Sequence, residues 1–211
     1  NSLENIFPKM IQQIFFIILF IVQIQCQSTT PAPTPYPCRY MFVISAPVRP
    51  DIGLSNFDSL CVRAANSSTV GDVANRLRSG LDSYRAFLGN SSIESYDRFG
   101  FDDMSTCWQD VNGHLLATGK ADFLDGLSVN TAVKMQNGNN PPNEEVFTGL
   151  SSDGTNDNGN DCSGWTVNFN GARVRLGDPR ATDGKWFRSG RGRCSQTARF
   201  YCISYHPPTP A

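Results

Sequence analysis

The last sixty or so residues constrain this chain most. Val146-Phe147-Thr148-Gly149 reads as a strand entering a tight glycine turn. A long polar loop follows, then Asp161-Cys162-Ser163-Gly164-Trp165, then Cys194, then a cysteine within the apolar run Phe200-Tyr201-Cys202-Ile203-Ser204. The chain holds seven cysteines: Cys26, Cys38, Cys61, Cys107, Cys162, Cys194 and Cys202. No two of them are separated by two residues, and the histidines are His114 and His206, so zinc-ribbon and redox-dithiol readings have no support.

The leading segment explains the odd cysteine. From Met10, the natural initiator candidate, the chain reads as a secretory signal. Lys9 flanks it, Ile14 to Val22 are uninterruptedly apolar, and Cys26 offers a small residue ahead of a polar stretch. An apolar stretch this short spans only about half of a ~30 Å hydrocarbon core, which favours a cleaved signal over residues 1–26 against an anchor. Six cysteines then remain, an even count that implies disulfides in an oxidising compartment. Their pairing stays open on these grounds. The triplets at Asn66-Ser67-Ser68 and Asn90-Ser91-Ser92 are candidate N-glycosylation sites, consistent with a secreted chain.

Residues 27–37 (QSTTPAPTPYP) are a Pro/Thr-rich linker without apolar periodicity, and 206–211 form a Pro-rich tail. The interval 38–205 is long enough for one domain with its own core. Arg39 to Ala46 has the β-branched and aromatic content of a strand. Ser55 to Ala65 is the best helix signal, with Ser55 as N-cap, Asp58 three residues on, and Phe57, Leu60, Cys61 and Ala64 on one face. A second helix is predicted over Asp72 to Leu81. Further strands are predicted at Tyr84–Leu88, Val146–Leu150, Ala172–Leu176 and Phe200–Tyr205. Helices first and strands after give an α+β domain rather than alternating βαβ units.

Five segments in order resemble the endostatin modules of the type XV and XVIII collagens, a variant of the C-type-lectin-like domain. They are YMFVISAP with the helix NFDSLCVRAA, then Ser83 to Leu88, Trp108 in CWQDVNG, VFTGLSSDG, and the spaced Cys162, Cys194 and Cys202. The resemblance covers nearly the whole domain. It implies an endostatin-like fold with a disulfide-stabilised mixed sheet and one or two short helices. It implies the nested pairs Cys61–Cys202 and Cys162–Cys194, leaving Cys38 with Cys107, a bridge not associated with the family. It also implies a secreted extracellular matrix or recognition role, with heparan sulfate as a ligand.

Two departures narrow that expectation. The calcium-ligating tripeptides of sugar-binding C-type lectins (Glu-Pro-Asn, Gln-Pro-Asp, Trp-Asn-Asp) do not occur, and no histidine precedes His114 to form the N-terminal zinc site of collagen endostatins. No Gly-X-Y repeat occurs either. No cofactor or metal is therefore expected.

Charge supplies the main functional clue. Glu94 to Asp161 holds 12 acidic and 3 basic residues, whereas Cys162 to Ala211 holds 8 basic and 2 acidic. Arg173 and Arg175 alternate with Val174 and Leu176, so a strand puts both arginines on one face. Arg188, Arg191, Arg193 and Arg199 follow. The planar guanidinium suits sulfate and carboxylate groups bidentately, so Arg173, Arg175, Arg188, Arg191 and Arg193 are the candidate site for an anionic glycan or matrix protein. The plainer alternative pairs these arginines with the domain's own acids, at about 0–1 kcal/mol each. A third alternative docks the acidic face of one copy on the basic face of the next, making a structural subunit of a coat, sheath or filament.

Asp153 to Asp161 has enough oxygens for calcium but not the EF-hand register, and Asn, Asp and Gly are ordinary turn residues. Catalysis is not expected: neither histidine has a recognisable partner, and the mature cysteines are assigned to bridges. Secretion argues against nucleic acid as partner. Trp165 is expected in the core, and Trp186-Phe187, amid Gly and Arg, is expected to be exposed.

Overall fold

A computed structural model describes residues 38–79, 82–91, 98, 107–125, 133–151 and 153–205. The elements in chain order are β1 (Arg39–Val43), α1 (Leu54–Asn66), α2 (Val73–Arg78), β2 (Ser83–Ala86), β3 (Trp108–Gln109) and β4 (Leu115–Ala117). Then come α3 (Lys120–Asp125), β5 (Val146–Phe147), β6 (Arg173–Gly177), β7 (Gly190–Arg193) and β8 (Arg199–Tyr205). Among the described residues the strands run β4-β3-β1-β8-β5-β6-β7, with β2 also paired to β8. The β1–β3 and β5–β8 pairs are parallel and the rest antiparallel, so the domain is α+β with a mixed sheet.

The two central strands are buried on both faces. Tyr40, Phe42 and Ile44 of the first strand region pack with Phe57, Cys61 and Tyr84 on one side. Met41 and Val43 pack with Trp108, Phe123, Trp186 and Tyr201 on the other. Burial of alternate residues in two separate cores requires an unbroken apolar run, which is what RYMFV and RFYCISY supply.

On one face lies α1, presenting Phe57, Cys61 and Ala65 to the sheet. Its start differs from the expectation at Ser55. The helix begins at Leu54 behind Gly53 (φ 79°), and no side chain caps it. Asp58 is diverted instead: its carboxylate accepts the Ala86 N–H (2.9 Å) and an ion pair from Arg98. Burial pushes the Asp58 carboxyl up and the Arg98 guanidinium down, while each partner's charge opposes the shift. The second helix is shorter than expected, ending at Arg78, and Leu81 lies outside the described residues. A third short helix, α3, adds Phe123 to the opposite core. Below α2, Arg76 grips Asp82 through Nε (2.6 Å) and Nη2 (2.9 Å), both partners buried. Tyr40 donates its hydroxyl to Asp72, and burial together with that acid pushes the phenol up to about 12.

Three disulfides join Cys38–Cys107, Cys61–Cys202 and Cys162–Cys194, with Cα–Cα separations of 4.6, 5.5 and 5.6 Å. Cys61–Cys202 and Cys162–Cys194 are the pairs that the resemblance implied, Cys38–Cys107 is the one left by elimination, and Cys61–Cys202 ties α1 to β8. Each is worth roughly 2–4 kcal/mol by restricting the unfolded chain.

Trp186-Phe187 corrects the sequence reading outright, since both rings are buried, at 0 % and 1 % exposure. Asp183 caps a short 3₁₀ turn by accepting the Lys185 N–H (3.0 Å), and the turn drives Trp186 inward. There it stacks on Phe87 (5.4 Å, 16°) and meets Phe123 and Tyr201 edge-on. Gly177 makes this approach feasible: a Cβ there would stand 2.2 Å from the Trp186 carbonyl oxygen. Flanking glycine and arginine here mark tight passage of the backbone, not exposure.

Candidate functional site

The basic segment folds into a ribbon at the edge of the sheet. In the β6–β7 register Arg173 stands opposite Arg193, and Arg175 opposite Arg191. Val174 and Leu176 point into the core while the arginines line the outer face. The sequence pattern located the β6 half. It missed β7 as a strand, because GRGR has none of the β-branched or aromatic content by which strands are recognised.

Main-chain bonding sets how closely these arginines face one another. Arg175 donates its N–H to Asn160 (2.8 Å) and its carbonyl accepts from Thr148 (3.1 Å), so both groups point away from β7. Cys194 N–H donates to Ala172 (3.1 Å), making that pair hydrogen-bonded. By alternation, Arg173/Arg193 and Arg175/Arg191 occupy the non-hydrogen-bonded positions, where antiparallel side chains lie closest, at a Cα separation of about 4.5 Å. Like charges directly opposite destabilise a sheet.

Neutralisation of this cluster is partial. Arg175 is half-buried and its Nε bonds Asp157 at 2.6 Å. Arg199 pairs with Glu144, and Arg180 lies 3.7 Å from Asp178. Arg173, Arg188, Arg191 and Arg193 are exposed and have no acidic partner among the described residues. Four of the candidate cations thus face solvent. Three of them stand on one ribbon face, and Arg188 sits on the loop leading to it.

The Cys-x-x-Trp segment anchors the ribbon by an unusual route. Cys162, Ser163, Gly164 and Trp165 have φ values of 51°, 54°, 69° and 67°, one turn of left-handed helix. Left-handed backbone costs roughly 1–2 kcal/mol for each non-glycine residue. Three contacts hold it: the bridge from Cys162 to Cys194 at the end of β7, the bond from Trp165 Nε1 to Gly89 O (2.7 Å), and the packing of Trp165 edge-on against Phe57 (5.4 Å). Trp165 is fully buried, as the sequence suggested.

The Asp153–Asp161 loop disperses its carboxylates. Asp153 accepts from Ser151 and Thr155, which pull it down to about 2. Asp157 serves Arg175, and buried Asp161 accepts the Ser91 N–H at 3.1 Å. Among the described residues no group of three or more His, Cys, Asp or Glu is arranged to hold a metal ion. His114, which the sequence left without a partner, does have one: its Nδ1 lies 2.9 Å from the Asp110 carboxylate. That carboxylate also accepts the Asn112 and His114 N–H groups, so the pair closes the β3–β4 turn. The two glycosylation candidates separate as well. Asn66 is exposed at the end of α1, whereas Asn90 is buried, at 8 % exposure, beside the left-handed turn.

Among the described residues no helix is long and apolar enough to cross a membrane. Comparison with protein-family models and with curated proteins finds no match.

Proposed function

We propose that this chain is a secreted, non-enzymatic recognition module of endostatin-like, C-type-lectin-like architecture, binding an anionic extracellular glycan or matrix protein through Arg173, Arg188, Arg191 and Arg193. The observation that carries the reading is the cross-strand arginine ladder. Two like-charged pairs occupy the closest positions of a two-stranded edge, and only Arg175 of the four has an acidic partner among the described residues. A fold gains nothing from that arrangement, whereas a polyanion with sulfate or carboxylate groups is matched by it. Secretion is supported by the apolar leader and by the three bridges.

Heparin affinity measured across a salt series tests the proposal. Binding that weakens steeply with salt, and falls further in Arg173→Ala/Arg193→Ala, is the expected result. Indifference to heparin at low salt overturns it. Self-assembly through acidic and basic faces is the alternative outcome, read as a salt-sensitive rise in mass by light scattering without glycan binding.

A further inference from the structure

Phe169 stands out from the other exposed side chains. At 55 % exposure it is the most exposed large hydrophobic side chain among the described residues, ahead of Leu115 and Val62. A single exposed apolar side chain is ordinary by itself. Two further observations set this one apart.

The first is that the ring is seated. A Cβ built on Gly171 would stand 2.7 Å from Phe169 Cε2 and 3.2 Å from Cδ2, so the ring lies against backbone that only glycine leaves clear. The Ala172 N–H donates to the Phe169 carbonyl (3.2 Å) and closes the turn, while Ser195 donates its hydroxyl to Asn170 across from it. One part of the ring rests on the main chain and the rest meets water. The second observation is position. Ala172 accepts the Cys194 N–H (3.1 Å), so this turn abuts the end of the ribbon where Arg173 faces Arg193. Phe169 is four residues from Arg173, within ~14 Å along even an extended chain.

We propose that Phe169, held open by Gly171, is a stacking platform for a sugar ring of the anionic glycan whose charged groups engage Arg173 and Arg193. This deepens the anionic-glycan reading and rests on it. The arginines supply the salt-dependent attraction, while the aromatic face supplies an apolar contact that salt does not screen and that discriminates a pyranose from a bare polyanion. A lipid surface is the poorer fit, because insertion requires a projecting apolar cluster, and among the described residues Phe169, Leu115 and Val62 are the exposed large hydrophobics.

The experiment compares heparin with inorganic polyphosphate as probes, over a salt series, for the full chain and four variants. Phe169→Ala is expected to weaken heparin binding about three- to tenfold, a typical range for one aromatic contact, with the slope against salt unchanged and polyphosphate binding unaffected. Gly171→Ala, whose backbone φ tolerates alanine, is expected to match it by displacing the ring, and Phe169→Trp to retain affinity. Arg173→Ala/Arg193→Ala is expected to flatten the slope for both probes, since the slope counts the ionic contacts made. If Phe169→Ala binds heparin like the parent while the arginine variant weakens, the platform is refuted and the anion site stands. If the arginine variant is also without effect, the underlying reading fails. Loss of binding to vesicles of anionic phospholipid in Phe169→Ala, with heparin affinity intact, would transfer the surface to a membrane and overturn the proposal.

Discussion

Replacing Arg173 by glutamate sets fold and function against each other. In the native ribbon Arg173 and Arg193 share a non-hydrogen-bonded cross-strand position, and both are exposed. Cross-strand pairs contribute roughly 0.2–1 kcal/mol in either direction, so exchanging repulsion for attraction is worth about 1 kcal/mol. For a domain of this size that raises Tm by about 2–4 °C. The gain is measured by calorimetry at low salt and shrinks at high salt, where exposed charges are screened. At the same time the site loses one cation, so the heparin slope falls by about one ionic contact. Arg175→Glu provides the contrast: it breaks the bond to Asp157 and sets two carboxylates together, so it lowers Tm. A fall in Tm for Arg173→Glu, or unchanged glycan retention, would refute the reasoning that these arginines are arranged for a ligand at the fold's expense.

Four further outcomes are expected. Removing the Cys162–Cys194 bridge as a double alanine variant costs about 3–4 kcal/mol in chemical denaturation, because it frees a loop of 32 residues in the unfolded chain. Trp186→Ala costs about 3–5 kcal/mol, as its ring fills the centre of the second core, whereas a surface ring there would cost almost nothing. High pH destabilises the domain. Tyr40 stays protonated up to about 12 in the fold against an ordinary phenol near 10, so its contribution is complete below pH ~10 and is lost as pH rises toward 12. Urea midpoints at pH 9 and 11.5 should converge in Tyr40→Phe relative to the parent. In a secretory host, Asn66→Gln removes a glycosidase-sensitive mass shift and Asn90→Gln leaves it intact.

The helix at the start of the domain was legible because its apolar face repeats with the helical period, and Cys61 fell on that face as expected. Its first residue was not, since Asp58 found a better partner in Arg98 than in the helix end. The arginines of β6 were readable from alternation. Their counterparts in β7 were not, because a strand made of glycine and arginine is defined only by the neighbour it pairs with. His114 likewise acquired its aspartate through a turn that only the β3–β4 pairing closes.

Composition and pattern by themselves determined the class of molecule: an α+β chain with an even set of bridge-forming cysteines and a basic C-terminal stretch. Those properties are local, carried by which residues are apolar and at what spacing. Only the tertiary structure decided that four arginines face one another in two close pairs, that Trp186 is core, and that Phe169 is open. Each of those depends on which segment packs against which, and contacts between residues far apart in the chain leave no periodic trace in it.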